Sequence, residues 1–213
     1  IAREAMEDVL QLREEVVAAG DQYRLSGFRN ASTTLRMAFD LMPRSTEQDW
    51  ANIAARMALV PEGIASYRVS LAEGIRLGVP TARRQVAQAI KQSNTYGGGD
   101  GSKPFFKTLV EAFDATGIQS PALRAELESA ATIAAQTYVD FSRYLEEKFM
   151  DSAVERDGVG RELYQLSSRV YNGVELDLEE TYQWGWDELY RIEDEMRQTC
   201  AKILPGASIE ETK

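Results

Sequence analysis

The chain has 213 residues, with 24 basic against 34 acidic side chains, one cysteine and no histidine. That length is enough to remove roughly 70% of the unfolded surface from water, so a core needs no disulfide or metal staples. A formal charge of -10 repels nucleic acid and anionic lipid, and the lack of histidine rules out an imidazole-held zinc or a histidine base within the chain itself.

In chain order, Ala5, Met6, Val9, Leu12, Val16 and Val17 fall at helical spacing, and Gly20 ends that amphipathic helix. Gly27, Arg29 and Asn30 bend the chain toward a short helix from about Ser32, which presents Leu35, Phe39 and Met42 before Pro43 stops it. Asn30-Ala31-Ser32 also fits a glycosylation triplet, but nothing indicates secretion. Ser45 or Thr46 caps the next helix, with Trp50, Ile53, Ala54 and Met57 on its inner face. Pro61 suits the start of a helix to Leu77 with Ile64, Tyr67, Leu71 and Ile75 inward, closed by Gly78. Pro80 is read as the start of a further helix through Val86, Ile90 and Ser93.

Residues 96–103 contain four glycines and are read as a flexible loop without packed structure. They superficially resemble a phosphate loop, but no strand precedes them and Ser102 separates Gly101 from Lys103. Phe105, Phe106, Leu109, Val110 and Phe113 predict a helix from Pro104 to Thr116. From Pro121 the helical pattern runs unbroken to Met150, about 45 Å at 1.5 Å per residue, and predicts a spine for the other helices. No alternating strand pattern stands out. The predicted fold is all-α, an antiparallel multi-helix bundle with one long central helix, and a single all-helical domain over 1–213.

The stretch from Asp157 to Met196 carries the least ordinary residues. Asp157 can cap a helix bearing Val159, Leu163, Leu166 and Val170, ended by Asn172-Gly173. Asp177 and Glu180 have capping-box spacing, and Leu178, Tyr182, Trp186, Leu189, Ile192 and Met196 follow at steps of three and four. Behind Gly158 and Gly160, Arg161, Glu162 and Tyr164 form a candidate substrate-binding group. Helix-start amides can receive an anion, and an arginine fork can hold a carboxylate. Local capping, ion pairing and packing are the alternative use of the same three. Trp184 and Trp186 flank Gly185 and point to different sides, one expected in the core and the other at a cleft or domain interface. The carboxylates of Glu179, Glu180, Asp187, Glu188 and Glu193 to Glu195 are expected on the solvated face. No catalytic residue and no metal ligand is assigned within the chain, and Cys200 is expected to be an inert thiol.

The words GVGRELY at Gly158 to Tyr164, LDLEETYQWGWDEL at Leu176 to Leu189 and RIEDEM at Arg191 to Met196, together with Asp40 to Gly78, resemble the bacterial domain of unknown function 885 family. Its members look like gluzincin-type helical zinc metallopeptidases. The resemblance implies that this chain is the N-terminal helical part, forming one wall of a substrate cleft. The zinc motif and general base would lie beyond Lys213. Zinc is then expected in the parent protein and no cofactor here. The expected partners are the protein's own C-terminal catalytic region and a peptide substrate, with self-association through an uncovered apolar surface. Both ends of the chain read as cut, and a cytoplasmic, membrane-free location is expected. The alternative is a self-contained helical interaction module with no enzymatic role.

Overall fold

The computed structural model describes residues 2–28 and 30–212, leaving aside the side chains of Ala2, Glu4 and Ala5. The predicted contributions of Ala5 and Arg29 lie outside the described residues. The fold is all-α. Its α-helices are α1 (Ala2–Ala18), α2 (Ala31–Met37), α3 (Glu47–Ala58), α4 (Val60–Arg76), α5 (Arg83–Gly97), α6 (Phe105–Asp114), α7 (Pro121–Tyr144), α8 (Arg161–Asn172) and α9 (Leu178–Ile203). Two compact units divide the chain, one made of Ile1–Leu12 with Val159–Lys213 and the other of Arg13–Gly158. The boundaries do not fall at the glycine stretch.

The larger unit is built on α7, against which α3, α4, α5 and α6 pack. The helix continues through a π-turn at Leu145–Phe149 and a short 3-10 turn to Ser152, as the unbroken pattern predicts. On its buried side Leu123 and Leu127, then Tyr138 and Phe141, flank a central run of Ala130, Ala131, Ala134 and Ala135, so bulky residues fill gaps and the small ones admit neighbouring backbones. Trp50, Ile53, Ala54 and Met57 of α3 are all buried, and Trp50 meets Phe113 edge-on at 5.6 Å. Thr46 and Asp49 close a reciprocal capping box that fixes where α3 begins. Asn30, read as part of a glycosylation triplet, is buried and caps α2 by accepting from the Thr33 amide at 3.0 Å.

Three expectations are corrected. Ile75 is 38% exposed, while Gly74 is buried. A Cβ on Gly74 would lie 2.8 Å from the Tyr23 carbonyl, so the incoming Tyr23 backbone occupies the inner face and leaves Ile75 at its edge. The helix expected from Pro80 starts three residues later, at Arg83. Thr81 and Arg83 instead exchange backbone hydrogen bonds with Val154, forming an isolated parallel bridge between Ala82 and Val154. Asp157 does not cap α8; it pairs with Arg84 at 3.1 Å, and Gly160 takes the cap position at φ +90°.

The glycine stretch also differs from its reading. α5 runs to Gly97, which is buried against α7, and Gly98 ends the helix at φ +80°. Asp100 then accepts from the Thr95 hydroxyl at 2.7 Å and the Ser102 amide at 3.0 Å. Hydrogen bonds from Ser102, then from Thr95, pull the Asp100 carboxyl from 3.8 down to about 2. A lowered folded-state pKa contributes stability that is present above the ordinary aspartate range and lost as pH falls through the folded value. The Ser102 amide resonance is therefore expected to titrate with a midpoint near 2 rather than 3.8. Asp100→Asn should abolish that titration, and a midpoint at the ordinary value would contradict the turn.

Candidate functional site

The smaller unit carries the residues singled out as a site. α8 starts after Gly160, whose positive φ turns the chain abruptly into the first helical residue, Arg161. It ends at Asn172, with Gly173 left-handed at φ +70°. Asp177 then accepts from the amides of Glu179 and Glu180, both at 3.0 Å, and starts α9.

Arg161 is bonded within the unit. Its two terminal nitrogens donate to the two carboxylate oxygens of Glu179 at 2.5 and 2.7 Å, a bidentate pair that ties the start of α8 to the start of α9. These hydrogen bonds hold Glu179 below the ordinary glutamate value and raise Arg161 above its own. The fork that could hold a ligand carboxylate therefore holds a protein one. Glu162 is exposed in the first turn of α8, where a negative charge suits the helix dipole. Tyr164 is 58% exposed and faces a groove.

That groove, of about 800 Å3, lies between α8 and α9. Tyr164, Ser168 and Asn172 line one side, and Leu178, Tyr182 and Trp186 line the other. Trp186 meets Tyr182 edge-on at 6.2 Å and stacks on Tyr190 at 5.9 Å, an aromatic ladder at steps of four residues. Neither tryptophan is in a core: Trp186 is 41% exposed and Trp184 64%. Among the described residues no element buries either ring, so the apolar face of the α8–α9 hairpin stays exposed. The same holds for Val170, Leu189, Ile192 and Met196, which are exposed although the spacing puts them on inner faces. Leu178, Tyr182 and Leu189 line the groove although sequence reasoning assigned them only to packing; the aromatic repeat at 182, 186 and 190 is the signal that marks Tyr182.

Gly185 lines the groove in the middle of α9, and a Cβ there would meet nothing within 4 Å. Gly185→Ala is thus expected to stabilise α9 by up to about 1 kcal/mol, since alanine has the higher helix propensity and the space is free. Helix content during thermal unfolding checks this, and a loss of stability would show that the groove is closed by something at that point.

Several carboxylates of α9 are taken up in ion pairs with arginines of the same helix. Glu188 and Glu195 pair with Arg191, at 2.6 and 2.5 Å, while Glu193 pairs with Arg197 at 2.6 Å. Among the described residues no group of three or more acidic or cysteine side chains could hold a metal ion. With no histidine in the sequence and Cys200 alone and free, the donor set does not fit a catalytic zinc. No helix among the described residues is long and apolar enough to cross a membrane.

Residues 1–212 match a family described as a bacterial protein of unknown function, DUF885. No curated protein matches the chain.

Proposed function

The chain belongs to the DUF885 family, and from that membership we propose that it is a non-catalytic helical region of a zinc-dependent metallopeptidase. Its α8–α9 groove would form one wall of the substrate cleft. In this reading the zinc ligands and general base are supplied by a C-terminal catalytic region outside this stretch, in a cytoplasmic protein. The observation that supports a cleft wall is the exposed apolar face of α8 and α9, with Tyr164, Tyr182, Trp186, Leu189, Ile192 and Met196 all exposed beside a groove of about 800 Å3. Contiguous apolar surface of this kind marks a binding or interaction site rather than a finished exterior. The chemistry is left to the other region, since among the described residues no donor set suits zinc. The role of these helices is to hold an extended substrate through aromatic contacts and exclude water from one side of it.

The test has two arms. Purified as it stands, the chain is expected to bind no stoichiometric zinc, to hydrolyse no peptide and to self-associate through the uncovered face. In the product of the whole gene, Tyr164→Ala and Trp186→Ala are expected to lower kcat/KM for a peptide substrate about tenfold or more, with zinc content unchanged. Stoichiometric zinc in the isolated chain would overturn the assignment. So would a reading frame without a histidine-glutamate motif, which would favour a self-contained interaction module.

A further inference from the structure

The larger unit holds a separate cleft, of about 470 Å3, between the start of α2 and the middle of α4. It adjoins a hollow of about 410 Å3 floored by Phe39 and Val60, and the two share Leu35, Gly63 and Ser66. Two donors on residues lining it, the Tyr67 hydroxyl and Arg24 Nε, have no acceptor at hydrogen-bond distance. Tyr67 is 8% exposed, and its hydroxyl proton has no acceptor in the fold. Burial raises its pKa, offset only in part by the Ala31 amide, so the phenol stays protonated and can donate. Arg24 is held by a bond from Nη1 to the Pro80 carbonyl at 2.9 Å, yet its buried Nε makes no hydrogen bond. Buried donors left unmatched are costly, and a ligand acceptor at this place removes the cost.

The charge pattern narrows the class of ligand. Asp21 stands 4.0 Å from Arg24 Nε, and these two are the charged residues lining the cleft. A simple anion on Arg24 would be repelled by Asp21, and a simple cation on Asp21 by Arg24. A molecule with adjacent opposite charges meets each with its complement. Beyond them the surface turns apolar at Leu35, Phe39 and Val60, with Arg56 and Glu62 as the charged residues of the adjoining hollow.

We propose that this cleft binds a zwitterionic α-amino acid with an aliphatic side chain, its carboxylate on Arg24 and the Tyr67 hydroxyl, its ammonium on Asp21, and its side chain over Leu35. The site lies within one unit and does not depend on the peptidase reading.

Calorimetric titration of the 213-residue chain with L-leucine tests it. Saturable binding at one site per chain is expected. 4-Methylpentanoate, which lacks the ammonium, and isoamylamine, which lacks the carboxylate, should each bind about tenfold or more weakly. Tyr67→Phe and Arg24→Met should weaken leucine about tenfold or more. Tyr67→Phe should leave the melting temperature within a few degrees of the parent's, because the hydroxyl it deletes donates to no group in the fold, so its loss of binding cannot be ascribed to unfolding. Absence of saturable leucine binding, 4-methylpentanoate binding as tightly as leucine, or unchanged affinity in Tyr67→Phe would each overturn the proposal.

Discussion

Phe106→Ala is expected to cost about 3–5 kcal/mol of stability, the range for deleting a buried aromatic side chain. Phe106 is fully buried and has rings on three sides: Phe39 at 5.4 Å, Phe105 at 5.2 Å and Tyr138 at 5.6 Å. These rings come from the turn after α2, from α6 itself and from α7, so the space cannot close by the shift of one neighbour. Tyr138 is fixed by its hydroxyl, which donates to the Ser32 carbonyl at 2.5 Å, and this restrains collapse further. For a chain of this length the expected fall in Tm is roughly 6–20 °C. Near-UV circular dichroism on heating measures it. Phe106→Leu, which leaves a smaller void, should cost less; equal losses for the two variants would argue against a cavity as the cause.

Gly97→Ala should destabilise the larger unit by about 1–3 kcal/mol, although alanine is the better helix former. A Cβ at this position would lie 2.7 Å from the Ala135 carbonyl oxygen and 2.9 Å from the Val139 nitrogen, both backbone atoms of α7. Backbone cannot rotate aside, so α5 and α7 must separate. That separation strains the bond from the Ser142 hydroxyl to Asn94, now 2.8 Å, which joins the same two helices one turn along. Chemical denaturation of Gly97→Ala beside Gly185→Ala makes the comparison direct. The same substitution is expected to have opposite signs at the two sites, and a stabilised Gly97→Ala would refute the close approach of α5 and α7.

The sequence by itself determined the helices and their inner faces wherever one helix packs on several others. Periodicity found Trp50, Ile53, Ala54 and Met57 on α3, Phe106, Leu109, Val110 and Phe113 on α6, and the inward residues of the long α7, all buried as expected, while Phe105 is only half-buried. Helix ends governed by local chemistry were equally legible, as with Thr46, Asp177 and Gly173. The aromatic character of the candidate site, at Tyr164 and Trp186, could be read from residue type and spacing. What only the tertiary structure decided depends on atoms distant in the chain. Asp157 turned from a cap to a partner of Arg84, and the start of α5 moved because Val154 pairs with Thr81 and Arg83. The glycines at 97 and 98 became a packed helix end through contact with α7 and Pro104. The apolar face of α9 stayed exposed because periodicity states which residues share a face, while burial requires a second surface to cover it. For the same reason Asp21, Arg24 and Tyr67 carried no signal in the sequence: three residues spread over 47 positions become one cleft only when α4 lies beside the start of α2.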